Sequence, residues 1–165
     1  MTGNESSQLR MREELYKEVT SMPDYPKYYT YVYSPHNFAS NLHRINWTPN
    51  DIVTQSRWMH GVDLYGFATI HSLVICCISV REIRNALTWN GSCTYLPLRA
   101  PPGVHVPQGI LYLFTDNHHF YRLRVNANCP MPPLFLEWWT DYLADDSVKH
   151  WPDMFRDRFE AWNCI

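Results

Sequence analysis

Apolar positions recur at helical spacing near the start of the chain. Met11, Leu15 and Val19 form one stripe, Ser6 and Ser7 can cap a helix that starts near Gln8, and Glu13 and Lys17 are an i,i+4 pair of favourable polarity. The helix is expected to stop before "MPDYP", where Pro23 and Pro26 remove backbone donors. "SPHNFASNLHRI" has Ser34 as N-cap and Pro35 at the first helical position. "TPNDIVTQSRW" repeats the device with Thr48, Pro49 and Asp51, and "VDLYGFATIHSL" sets Leu64, Phe67, Ala68 and His71 on one side of a further helix. Near the end, Trp151, Phe155, Phe159 and Trp162 predict a helix with an aromatic stripe, preceded by a second helical stretch, "LFLEWWTDYLA".

The remaining apolar runs have the strand period or none. "VICCISV" is short, β-branched and apolar throughout, which predicts a fully buried strand. "LTWNGSCTYLPL" places Asn90-Gly91 between two strand-like arms and predicts a hairpin. "GILYLF" and "HFYRLRV" read as two strands joined by the polar turn Thr115-Asp116-Asn117-His118. "PKYYTYVY" has an extended or irregular look and "APPGVHVPQ" reads as a Pro-rich loop. The order predicts an α+β domain: a small, mostly antiparallel sheet flanked by helices, with a C-terminal helical extension. There is no internal repeat and no Gly/Ser-rich linker.

Composition narrows the function classes. With 165 residues, 45% hydrophobic and 18% charged, the chain is long and apolar enough to bury a core. A net charge of −2 and the lack of a basic run argue against nucleic acid as partner. The longest apolar stretch is too short to cross a bilayer, so no membrane partner is expected. Five cysteines without regular spacing and a polar N-terminus fit reduced thiols in a cytoplasmic or nuclear protein.

The candidate chemistry centres on His119. If "HFYRLRV" is a strand, His119 shares a face with Tyr121, Leu123 and Val125, while His118 shares the other with Phe120, Arg122 and Arg124. A histidine at the rim of an apolar face is a good seat for a general base, because partial burial and a neighbouring dipole can hold its tautomer. The commoner role for such a residue is structural, with a ring nitrogen bonded to a backbone carbonyl. A base also needs a nucleophile. Cys76 and Cys77 read as core filling, Cys93 follows the predicted hairpin turn, and Cys129 and Cys164 sit in loop and tail. None stands at a predicted helix N-terminus. His60 and His71 are too far apart for one helical face and no paired C-x-x-C occurs, so no metal and no cofactor is expected.

Three segments together resemble the OTU (ovarian tumour) family of cysteine deubiquitinases, and most closely the OTU-like domains of vertnin-related and mobile-element-related animal proteins. "TGNESSQLRMREELYKEV" looks like the helix that follows the family's nucleophile helix. "SRWMHGVDLYGFATIHSLVICCISV" looks like its Trp-containing loop, helix and buried strand, and "GILYLFTDNHHFYRL" like its closing strand pair. In that pair the family sets its catalytic histidine before an aromatic residue, with Leu four positions on; here these are His119, Phe120 and Leu123. The resemblance spans roughly residues 3–125.

It implies a fold of the papain-like cysteine proteinase superfamily, with residues 1–130 as the OTU-like domain and 131–165 as a helical extension packing on it. It implies His119 as general base, Trp58, His60, Asn117 and His118 as substrate contacts, and ubiquitin or a ubiquitin-like protein as partner. The family's Asp-Gly-x-Cys motif is not found ahead of the first segment, and Tyr121 stands where many members carry the Asn or Asp that orients the histidine. Loss of a triad nucleophile costs many orders of magnitude in rate. The expectation is therefore a deubiquitinase-related domain without catalytic Cys, either inactive or a fragment of a ubiquitin isopeptidase. The alternative is a protein–protein interaction module without ubiquitin chemistry.

Overall fold

The computed structural model describes residues 5–21, 35–46, 63–79, 81–83, 86–88, 91–116, 119–134 and 145–164. The chain divides into two compact units, Met1–Gly66 and Phe67–Ile165. The first carries α1 (Glu5–Ser21), α2 (Pro35–Ile45) and the start of α3 (Asp63–His71). α1 ends at the residue before the Pro-rich stretch, and α2 opens on Pro35, whose fixed φ suits a first helical turn.

α1 packs against α2, and Leu15 and Val19 on its stripe are buried, as is Ile45. Met11, expected on the same stripe, is 43% exposed, and the buried position beside it belongs to Arg12. That arginine donates from Nη1 to the carbonyl of Arg44 at 3.1 Å, satisfying an acceptor in the last turn of α2. Arg44 in turn grips Asp63 with both arms of its guanidinium at 2.7 Å each, tying the end of α2 to the first turn of α3.

The second unit is a mixed α+β assembly around a four-stranded sheet of order β4-β1-β5-β6. The strands are β1 (Leu73–Ser79), β4 (Cys93–Tyr95), β5 (Gly109–Asp116) and β6 (His119–Leu123). Two of the three neighbouring pairs are antiparallel, and the central pair, β1 with β5, is parallel over its whole length. This explains the unbroken apolar run of β1: a central strand with a parallel neighbour is covered on both sides, and Val74 through Cys77 are all buried.

The hairpin expected at Asn90-Gly91 does not form between its two arms. β3 (Ala86–Thr88) pairs instead with β2 (Arg81–Ile83) in a separate two-stranded sheet, and β4 pairs with β1. Gly91 does adopt the left-handed φ of +94° that the dipeptide signals. The turn chemistry was legible; its partner strand was not, because a long buried strand offers a better ladder than a short neighbouring arm. Ser92 locks the arrangement: its Oγ accepts from the Ser79 amide at 2.9 Å and donates to the Ser79 carbonyl at 3.1 Å.

The C-terminal stripe is also broken in two. Trp151–Phe155 forms a 3-10 segment with Pro152 in its first turn, and α4 follows at Arg156–Trp162. Only Trp151 of the four aromatic residues is fully buried, together with Val148 and Met131. Backbone bonds from Asp145 to Leu98 (2.7 Å) and from Met131 to Arg158 (3.0 Å) sew this segment into the second unit. The helix expected at 48–58, the Tyr-rich stretch at 26–33 and, past Leu134, the helix expected at 134–144 lie outside the described residues.

Candidate functional site: the outer strand pair

Residues opposite one another on neighbouring strands project to the same side of a sheet. One row runs Thr94–Cys76–Tyr112–Leu123, so its side of the sheet also carries Phe114, Tyr121 and His119. The sequence alternation placed His119, Tyr121 and Leu123 together, and the pairing of Asp116 with His119 sets the histidine at the end of the ribbon. Tyr121 lies between two rings, its centroid 6.3 Å from that of Phe114 and 6.5 Å from that of His119, within the range of favourable tilted aromatic contacts.

The expected partial burial of His119 is not found. β6 pairs only with β5 among the described strands, and from His119 to Arg122 its residues are exposed, Phe120 at 37% and Tyr121 at 52%. An outermost strand has half the lateral neighbours of a central one, and apolar alternation does not say which it will be. Trp58, His60, Asn117 and His118, expected as substrate contacts, lie outside the described residues.

The thiols of the sheet are not beside His119. Cys77, Leu113 and Arg122 form one row, and Cys93 extends it on the far edge. From Cys77, His119 is three residues along and two strands across, roughly 14 Å between Cα positions at ordinary strand geometry. Cys76 is one residue further. Burial pushes both thiols up from 9.0 to about 11, with Thr94 and Tyr112 pulling Cys76 weakly the other way. These are core thiols held protonated.

A second constellation, which the sequence reading missed, lies on the same side of the sheet. Arg158 of α4 donates from Nη2 to the Tyr112 phenol at 2.8 Å and from Nε and Nη2 to the Cys129 carbonyl at 2.9 and 2.8 Å. The Tyr112 hydroxyl donates onward to the carbonyls of Cys129 (2.8 Å) and Pro130 (3.0 Å). Thr94 donates to the Pro132 carbonyl at 2.7 Å, with Cys76 Sγ 3.7 Å from its hydroxyl. Burial and the neighbouring Cys76 hold the Tyr112 phenol protonated far above its usual range, against the pull of Arg158. The arrangement clamps residues 129–132 onto the sheet. A signal existed: a tyrosine in the middle of an apolar strand needs a partner for its hydroxyl once buried.

A shallow cleft of about 450 Å³ opens beside residues 99–105 and 145–150. Its polar groups serve its own walls. Asp145 Oδ1 accepts from the Ser147 amide at 2.8 Å, Asp146 pairs with Lys149 at 2.7 Å, and His150 Nε2 is 3.2 Å from the His105 carbonyl. The Ser147 amide and hydroxyl hold the Asp145 carboxyl below its usual range. Among the described residues no group of three His, Cys, Asp or Glu side chains could hold a metal ion, and no helix is long and apolar enough to cross a membrane.

Comparison of the chain with models of protein families, with curated proteins and with solved structures finds no match.

Proposed function

We propose that this is an OTU-like protein-binding domain that works by docking rather than by hydrolysis, with the β5–β6 ribbon as contact surface and ubiquitin as the partner to test first. The observation that carries the reading is the exposed aromatic face of one outer strand, Tyr121 at 52% beside exposed His119, with Phe120 exposed at 37% on the opposite side. Aromatic side chains give large contact area with few rotors to immobilise, which is why they anchor protein interfaces. Hydrolysis through His119 would need a thiolate within hydrogen-bond reach. Cys76 and Cys77 are too distant and held protonated, which supports docking. Ubiquitin enters through the resemblance of "GILYLFTDNHHFYRL" to the family's closing strand pair.

The test is titration of isotope-labelled ubiquitin with the protein, alongside incubation with a ubiquitin vinyl probe. Saturable shifts weakened by Tyr121→Ser, without covalent labelling, are expected. Labelling abolished by a Cys→Ala variant would replace the reading with an active hydrolase. A lack of shifts would remove ubiquitin and favour the interaction module without ubiquitin chemistry.

A further inference from the structure

The two edges of the four-stranded sheet are finished differently. On β4 the outer edge is occupied: the Thr94 amide donates to the Pro133 carbonyl at 3.0 Å and the Thr94 hydroxyl to the Pro132 carbonyl. On β6 no strand or segment among the described residues takes the corresponding place. In an antiparallel pair only alternate residues turn their N–H and C=O toward the partner, and the others turn away. Among the described residues no strand or segment takes these outward-turned groups of β6, a template for one more strand.

The side chains bordering that edge differ by face. His119, Tyr121 and Leu123 lie on the Phe114 side. Phe120 and Arg122 lie on the other, and strand alternation continues that side to Arg124 just beyond β6. Arg122 and Arg124 are exposed, and neither takes part in an ion pair among the described residues. Asp116, opposite His119, belongs to the ring side of the ribbon and not to theirs.

We infer that β6 accepts an extended acidic segment of a partner protein by strand addition, with carboxylates at alternate positions meeting Arg122 and Arg124 and apolar residues between them meeting Tyr121 and Leu123. The inference rests on the docking reading in using the same strand and the ring of Tyr121, but what it adds is the backbone edge and the charge of Arg122 and Arg124. Self-pairing with a second copy in registers centred on Arg122 or Leu123 sets arginines opposite arginines, which is unfavourable across strands; the register centred on Tyr121 sets Arg122 opposite Phe120 and leaves both arginines without a partner charge, which an acidic segment supplies. Strand addition draws affinity from main-chain bonds and specificity from alternate side chains.

The probe is a short capped peptide alternating Glu and Val, compared with its Lys/Val counterpart and with a copy N-methylated at every second residue. Binding is read by fluorescence polarisation and by hydrogen exchange of the intact protein. The Glu/Val peptide is expected to bind at least about tenfold more tightly than the Lys/Val one, to lose affinity with added salt, and to slow exchange within residues 119–125. N-methylation of the edge-facing amides should abolish binding, and the double variant Arg122→Glu/Arg124→Glu should reverse the charge preference. Equal binding of both peptides, indifference to N-methylation, or protection elsewhere overturns the inference, as does dimerisation through β6 in sedimentation; the arginines would then only guard an edge against aggregation. If Tyr121→Ser weakens ubiquitin binding while the Glu/Val peptide fails, the docking reading stands and this inference falls. If Tyr121→Ser leaves ubiquitin binding unchanged while the Glu/Val peptide binds as expected, the edge stands and the ubiquitin reading falls.

Discussion

Arg158 lies across Tyr112, its guanidinium carbon 5.8 Å from the ring centroid, and the same guanidinium bonds both the phenol and the Cys129 carbonyl. This contact joins α4 to the middle of the sheet across 46 residues of sequence. Hydrogen bonds from a charged group are worth about 1.5–3 kcal/mol each. Arg158→Ala is expected to destabilise the protein by about that amount, and Arg158→Lys by less, because a point charge cannot reproduce the planar fork. Tyr112→Phe should cost about 1 kcal/mol. A denaturant-unfolding cycle over both residues should give a coupling of at least ~0.5 kcal/mol. Strict additivity would mean that Arg158 is held by Cys129 alone.

In the first unit the ion pair of Arg44 with Asp63 is 4% and 0% exposed at its two side chains. A buried pair of this kind gains little over an apolar pair, but removing one partner strands the other charge, at about 3–5 kcal/mol. Asp63→Asn and Arg44→Met should each lower stability by about that much, and Arg44→Met/Asp63→Leu should recover most of it. Urea unfolding of the three variants checks this. Single variants costing under ~1 kcal/mol would place the pair among solvated surface bridges.

Much of this architecture was readable from local pattern. Pro35, the Pro-rich stop after α1, the apolar run of β1 and the alternation of β6 each act within a few residues, and each produced the element expected. What was not readable depends on contacts far apart in sequence. The parallel pairing of Leu73–Ser79 with Gly109–Thr115 spans more than thirty residues, and neither strand's own pattern names its neighbour. Gly91 announced a turn but not its destination. For the site, period-two alternation put His119 and Tyr121 on one face, yet exposure was decided by β6 being outermost. Arg158 was hidden in an aromatic stripe whose four rings suggested apolar packing, whereas the structure buries Trp151 and uses the arginine as the clamp.

The buried thiols make stability fall in alkali. Cys76 and Cys77 titrate near 11 in the fold, above their ordinary 9.0, because burial disfavours the thiolate. A raised folded value means the folded state holds its proton more tightly, so this contribution is intact below pH 9 and is lost as pH rises toward 11. For Cys76, the more deeply enclosed of the two, the rise corresponds to roughly 2–3 kcal/mol, and for Cys77 to less. Thermal melts from pH 8 to 11 should show a falling midpoint, and Cys77→Val should flatten the fall. In native protein a disulfide reagent is expected to modify Cys164, which is exposed, well before Cys76 or Cys77.

Trp151 anchors the C-terminal segment by shape rather than by its indole N–H. The side chain is fully buried, and Nε1 has no hydrogen-bond partner among the described residues. Trp151→Ala should cost about 3–5 kcal/mol through lost apolar contact and the cavity left behind. Trp151→Phe keeps much of that contact and removes a donor that makes no bond, so it should cost much less. Comparable losses for the two variants in denaturant unfolding would reveal a partner for the indole.

The separation of function from folding is sharpest at β6. His119 and Tyr121 are both exposed, so His119→Ala and Tyr121→Ser should each cost no more than the ring contacts they lose, about 0.5–1.5 kcal/mol. Both should nevertheless weaken ubiquitin binding, His119→Ala less than Tyr121→Ser, because the tyrosine sits between the other two rings and offers more area to a partner. This pattern distinguishes a presented surface from a structural one. A residue serving the fold would lose stability and binding together, and refolding conditions that restore the fold would restore both. A residue serving a partner loses binding alone, and a paired measurement of denaturant midpoint and ubiquitin titration on the same preparations decides between them.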